Sequence, residues 1–201
     1  MKNLSRRGWI LPLLLGAGLT APATAAAQVE VMPIVGIGEL TDANEQTYDA
    51  GLVVGLGVGA RVSELLSLQM HLEYDRLNID ESIREDAAGH VLHLALSPAF
   101  HIVRDKFDLS LGPTFGIWRF STNFEVGNQD GSFTMRGTEV GLRASFLIAA
   151  SPLISMGPSF GYSRMWTSKV CLKAGDVIET CDTDPDRDDD GFWSLAFAAR
   201  F

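Results

Sequence analysis

Basic residues, cysteines and long apolar runs are all scarce in this 201-residue chain. Lysine and arginine number 16 against 25 aspartates and glutamates, and the net charge of −9 makes the protein a poor nucleic-acid ligand. Beyond residue 27 no uninterrupted apolar run approaches the roughly 20 residues that a membrane helix requires. The mature chain is therefore not expected to cross a membrane as helices. Neither cysteine lies near the N-terminus, which excludes a lipoprotein anchor.

The N-terminal segment has the order of parts of a secretory signal peptide. Lys2, Arg6 and Arg7 precede an uncharged, mostly apolar stretch, and the small residues 25–27 provide a cleavage site. We therefore expect residues 1–27 to be removed. Because this segment holds three cations and no acid, the net charge changes from −9 to −12.

The remaining chain alternates apolar and polar residues with a period of two, which predicts β-strands with one face in hydrocarbon. The pattern is clearest in the last ten residues, whose apolar positions are Trp193, Leu195, Phe197, Ala199 and Phe201. Eight strands are predicted in this way. They lie near Val29–Gly38, Gly51–Arg61, Leu65–Leu77, His90–Val103, Phe107–Phe120, Thr134–Ala149, Leu153–Trp166 and Phe192–Phe201.

The connections between these strands alternate in length. The long polar ones are Glu39–Ala50, Asn78–Gly89, Ser121–Phe133 and Thr167–Gly191, and the short ones are Val62–Glu64, Arg104–Lys106 and Ala150–Pro152. Short periplasmic turns and long surface loops are typical of outer-membrane barrels. We predict an all-β fold, an eight-stranded antiparallel up-and-down transmembrane β-barrel that forms one domain over residues 28–201.

The signal segment, the alternating strands and the terminal Phe201 together resemble the small bacterial outer-membrane barrels of the OmpX type and the membrane domain of OmpA. The resemblance implies a monomer in the outer membrane, in contact with lipid and lipopolysaccharide, and assembled by the barrel assembly machinery, which reads a terminal aromatic residue. It implies no active site. Ser5–Trp9 also looks like a twin-arginine export signal, but we favour the Sec route because a barrel with a lipid-facing exterior cannot fold in the cytoplasm.

Along each predicted strand, the residues that alternate with the lipid-facing ones point into the lumen. An eight-stranded barrel is just wide enough for side chains to fill it, and buried charges in it should pair. The predicted lumen network is His71, Glu73, Asp75, His93, Glu139 and Arg143. A polar plug is the favoured interpretation and a narrow solute pore is the alternative; the spacing of the histidines contains no tight zinc motif.

A lipid-modifying enzyme on this fold needs a reactive group at the bilayer edge. His90 is the only histidine on the outward file, and the sequence indicates no serine partner for it. We therefore expect a non-enzymatic protein without a catalytic residue, and keep the lipid-modifying enzyme as a lesser alternative.

The fourth surface loop holds both cysteines and an acidic run. Because the periplasm is oxidising, Cys171 and Cys181 are expected to form a disulfide within the loop that closes a small hairpin. The run that follows has alternating aspartates and a glycine, as in the first half of a calcium loop, but Phe197 stands where an EF-hand needs its glutamate. A solvated acidic loop is favoured over calcium binding. The candidate calcium ligands are Asp184, Asp186, Asp188 and Asp190, and no other cofactor is expected.

Four arginines among the lipid-facing residues lie at the same predicted height above the periplasmic ends of their strands. Arg76, Arg119, Arg136 and Arg164 stand 11 or 12 residues above the periplasmic ends of their strands. Tilted strands of that length rise about 25 to 30 Å, so the four should form a belt at the outer interface, where lipid A phosphates lie. Snorkelling of these arginines without specific lipid contact is the alternative. The predicted function is cell-surface binding or envelope integrity through acidic loops, with a lipopolysaccharide-binding arginine belt.

Overall fold

The computed structural model describes residues 28–41, 48–79, 88–126, 129–174, 179–183 and 190–201. Nine strands lie in these ranges. They are β1 Gln28–Thr41, β2 Tyr48–Ser63, β3 Leu66–Ile79, β4 Ala88–Arg104, β5 Phe107–Val126, β6 Gln129–Ala149, β7 Ser155–Ala174, β8 Thr180–Asp182 and β9 Asp190–Arg200. No helix in the described part of the chain is long and apolar enough to cross a membrane.

Eight of these strands form a closed ring. Each of β1 to β7 pairs antiparallel with its neighbour in the chain, and β9 closes the ring between β7 and β1. The short β8 is an addition that pairs with β7 beyond the end of β9. The predicted eight-stranded antiparallel barrel is therefore confirmed.

The register of the ring fixes its shape. A line drawn across the strands from Leu66 of β3 passes once around the barrel and returns to β3 at Arg76, ten residues further along. With ordinary strand spacings this stagger tilts the strands by about 40° from the barrel axis. A barrel of this size leaves an interior that side chains can fill.

The period-two sequence pattern separates two surfaces. In β4, for example, buried residues such as His93 and Ala95 alternate with exposed ones such as Leu94 and Leu96. Outward leucines, valines and phenylalanines cover the wall, and Leu68, Phe100, Phe115 and Leu195 are each at least half exposed. Such a surface is stable against hydrocarbon and unstable against water.

All eight ring strands are longer than the sequence predicted, and three of them extend furthest at the outer end. β5, β6 and β7 have 20, 21 and 20 residues, and most of the predicted loop Ser121–Phe133 is strand on both sides of the two undescribed residues 127–128. These extensions stand above the membrane, where outward side chains face water and are polar. The apolar alternation that marks a lipid-facing strand is therefore absent there.

Candidate functional site: the lumen and the outer belt

An apolar layer closes the outer part of the lumen. Every strand of the ring contributes to this outer apolar layer, which consists of Leu40, Val53, Leu77, Val91, Trp118, Phe120, Met135, Met165 and Phe192. All nine are at most 5% exposed. Phe133 and Val170 pack against the layer from the extended strands above.

A cluster of charged residues lies directly beneath this layer. Arg143 of β6 donates to Glu73 across the lumen on β3. His93 Nδ1 lies 2.7 Å from Glu139 Oε2, and His93 Nε2 lies 3.2 Å from Asp75 Oδ2, within ion-pair range but not aligned for a hydrogen bond. The structure thus brings together five of the six predicted network residues, which we call the central polar cluster.

His71, the sixth residue, stands apart from these pairs. It is 2% exposed, and neither ring nitrogen has a hydrogen-bond partner within the described part of the chain. It lines a cavity of about 30 Å³ that it shares with Glu73, His93, Glu139 and Arg143. A cavity of this volume has room for about two water molecules, which can bond the free nitrogens.

A second ionic cluster closes the periplasmic end. Asp108 of β5 accepts from Arg61 at 2.8 Å and from Arg200 at 2.5 Å, and its other oxygen lies 2.9 Å from His101 Nδ1. Glu30 lies 3.1 Å from Arg61. These five residues form the periplasmic ion cluster. The sequence pattern did not indicate these partners, because the pairs join strands that are distant in the chain.

The four belt arginines all project outward and are exposed. Arg119 and Arg136 stand directly opposite each other on β5 and β6, and Arg76 stands opposite His90. With the observed register and a tilt of about 40°, the four lie within roughly 7 Å of one another along the barrel axis. Tyr74, Tyr162 and Trp166 are exposed on the same surface.

His90 has two neighbours on the outward face. Its Nδ1 lies 2.6 Å from the hydroxyl of Tyr74, and the two rings stack with their centroids 5.6 Å apart. Ser121 stands opposite His90 in the β4–β5 ladder, a placement that sequence reasoning missed because strand register was needed to see it. No hydrogen bond joins these two residues in the described structure.

The predicted disulfide is confirmed. Cys171 of β7 and Cys181 of β8 are directly opposed and bonded, with their Cα atoms 4.1 Å apart. Among the described His, Cys, Asp and Glu residues, one group has ligand atoms close enough together to hold a metal ion. This group consists of the two disulfide-bonded cysteines and Glu179. Its sulfurs are bonded to each other and are not available as thiolate ligands.

The candidate calcium ligands Asp184, Asp186 and Asp188 lie outside the described residues. Asp190 is the first residue of β9, is 6% exposed and stands opposite the inward Met165. The predicted signal segment, residues 1–27, also lies outside the described residues and stays a prediction.

Comparisons with known proteins place the fold. No protein-family model and no curated protein matches the sequence. Among solved structures, the barrel is similar to neisserial surface protein A, with 13% identity over 86% of this chain and 95% of that one and a TM-score of 0.59. It is similar to a major outer-membrane protein of Thermus thermophilus, with 12% identity over 87% and 100% of the chains and a TM-score of 0.59. It is also similar to Ail, the attachment invasion locus protein of Yersinia pestis, with 15% identity over 87% and 99% and a TM-score of 0.55.

The fold is that of a small bacterial outer-membrane β-barrel. With an apolar outer wall and this fold, the chain is an outer-membrane protein that crosses the membrane as strands.

Proposed function

We propose that this protein is a non-enzymatic barrel with a closed lumen that presents an acidic surface outside the cell and holds lipopolysaccharide phosphates with its arginine belt. The observation that carries the first part is the outer apolar layer, to which all eight strands of the ring contribute. Within the described part of the lumen, a solute that enters from outside meets nine buried apolar side chains before it reaches the central polar cluster.

The charged interior supports the same proposal. A conducting lumen needs a continuous aqueous path, whereas the central polar cluster surrounds a cavity of about 30 Å³. Its charges are paired across the lumen between β3, β4 and β6. Such pairs stabilise a barrel wall, and they are costly to break because each would leave a buried ion behind.

The acidic character of the exterior supports a surface role. The four long connections predicted from the sequence hold 18 of the 25 acidic residues and four of the 16 lysines and arginines. The arginine belt lies beneath them, so the surface changes from cationic at the membrane interface to anionic above it. This order suits a protein whose belt meets lipid phosphates and whose loops meet divalent ions or an external partner.

Planar-bilayer conductance of the purified barrel tests the closed lumen. We expect no stable conductance steps for the natural sequence. The triple variant Trp118→Ala/Phe120→Ala/Phe192→Ala removes the three largest aromatic side chains of the outer apolar layer and serves as the opened control. Stable steps in the natural protein that disappear in Glu139→Gln or Arg143→Gln would favour the pore and overturn this part of the proposal.

Lipopolysaccharide retained through purification tests the belt. Replacement of Arg76, Arg119, Arg136 and Arg164 by Gln should leave folding in detergent intact, because all four side chains lie outside the barrel. The retained lipopolysaccharide should fall. If a folded variant retains as much lipopolysaccharide as the natural protein, the arginines snorkel at the interface without specific lipid contact. Lipid A that loses an acyl chain when the natural protein is added, but not when His90→Ala is added, would instead favour the enzyme.

A further inference from the structure

Within the arginine belt, one pair of side chains is arranged differently from the others. Arg119 and Arg136 are directly opposed in the β5–β6 ladder, where Cα atoms lie about 4.5 to 5.5 Å apart. Lys169 of β7 stands opposite Arg136 on the other side, so three neighbouring strands present three cations in a row. Like charges in directly opposed positions repel each other and destabilise a sheet unless an anion lies between them.

No protein group supplies that anion in the described structure. Neither guanidinium takes part in a side-chain hydrogen bond or an ion pair with another described residue. Each side chain is exposed on the outer wall, and the register shift beside Arg136 leaves Ser168 as an extra residue in β7. The Ser168 hydroxyl donates to the Arg136 carbonyl at 3.1 Å, a bond that does not involve the guanidinium.

An apolar groove of about 540 Å³ begins at this pair and follows the wall toward the middle of the membrane. Leu72, Leu92, Leu94 and Ile117 line it together with the two arginines, and each of these four apolar residues is 40–57% exposed. Thr138, opposite Ile117, provides only a small side chain at the floor. The groove therefore has a cationic end at the outer interface and an apolar length below it.

We infer that Arg119 and Arg136 form a clamp for one phosphomonoester group of a membrane lipid, one acyl chain of which lies in the groove beneath them. Guanidinium groups bind phosphate bidentately, and two that reach the same anion convert their repulsion into attraction. The occupant is a phosphorylated lipid rather than free phosphate, because the apolar part of the groove fits an acyl chain. This inference rests on the belt proposed above and goes further, since it assigns one site to one pair of residues.

Titration of the purified barrel in detergent, followed by native mass spectrometry, tests the site. The probe is dioleoyl phosphatidic acid, with dioleoylglycerol and inorganic phosphate as comparators that lack the phosphate or the acyl chains. We expect one phosphatidic acid per barrel, and at least about tenfold weaker binding in Arg119→Gln/Arg136→Gln, since both charged donors to the phosphate are lost. The matched variant Arg76→Gln/Arg164→Gln removes the same charge from the same belt and should change binding by less than about twofold.

A third variant tests the groove without touching the cations. Thr138→Trp should fill the floor beside Ile117 and weaken phosphatidic acid binding while both arginines remain. Equal losses in the two arginine double variants would overturn the clamp but leave the belt standing, whereas no loss in either would overturn both. Inorganic phosphate that competes as well as the lipid, or dioleoylglycerol that binds equally well, would overturn the lipid phosphate as the ligand.

Discussion

The two ends of the lumen are closed by different chemistry. At the outer end, nine apolar side chains from all eight ring strands meet in one layer. At the periplasmic end, Asp108 joins Arg61, Arg200 and His101 from three other strands. An apolar layer tolerates substitutions that conserve apolar volume, whereas the ionic closure depends on particular partners at particular distances. The outer end should therefore tolerate substitution, and the periplasmic end should not.

The largest expected effect is the loss of the shared carboxylate. Asp108→Ala leaves two guanidinium groups half-buried with one remaining acid, Glu30, and should lower the free energy of unfolding by about 3 to 5 kcal/mol. Urea unfolding in detergent or lipid vesicles measures it. Met165→Leu in the outer apolar layer is the matched test of the other end and should cost less than about 1.5 kcal/mol, because it nearly conserves volume.

Ser110→Ala controls for position on the same strand. Ser110 is buried two residues above Asp108 and makes no side-chain hydrogen bond in the described structure, so we expect a change below about 1 kcal/mol. A cost for Asp108→Ala no larger than that for Met165→Leu would contradict the contrast between the two ends.

The same contrast separates what the sequence predicted from what it did not. Residue parity placed His93, Glu139 and Arg143 inside, as the structure has them, because one face of each strand is apolar over most of its length. It could not pair Asp108 with Arg200, which lies 92 residues away across the lumen. The partner of a buried charge depends on barrel stagger and strand tilt, and neither leaves a local pattern in the chain.

Above the outer layer the sequence predicted the chemistry but only part of the structure. The spacing of Cys171 and Cys181 and the oxidising compartment were enough to pair them correctly. The small hairpin that the disulfide closes was predicted as well, but the continuation of β7 without a break to Ala174 was not. Hairpins in water gain little from apolar alternation, so their strands carry no period-two signal.

A smaller and local effect is expected from the disulfide. Cys171→Ser/Cys181→Ser should destabilise the β7–β8 hairpin by about 2 to 3 kcal/mol, the loop-closure entropy for a separation of ten residues. The barrel below should keep its stability, because β7 pairs with β9 from Ser155 to Met165 independently of β8. Hydrogen exchange should therefore accelerate at residues 170–172 and stay unchanged in the ring. A fall in global stability as large as that of Asp108→Ala would show that the outer layer depends on the hairpin above it.

The smallest effect concerns calcium, whose binding by the acidic run that follows Cys181 is the alternative to the favoured solvated loop. Asp184, Asp186 and Asp188 offer oxygen ligands at alternate positions, and Asp190 begins β9 at the rim of the barrel, opposite Met165. A site that included Asp190 would thus lie against the rim. Without a bidentate glutamate the affinity should be weak, with a dissociation constant on the order of 1 mM, and saturating calcium should stabilise the protein by only about 1 kcal/mol. A calcium site would give a saturable heat in calorimetry that is lost in Asp184→Asn/Asp186→Asn/Asp188→Asn and kept in Asp49→Asn/Asp130→Asn, where two acids are removed elsewhere on the surface. Equal heats in both variants, or no saturable heat at millimolar calcium, would reduce the loop to a solvated acidic surface.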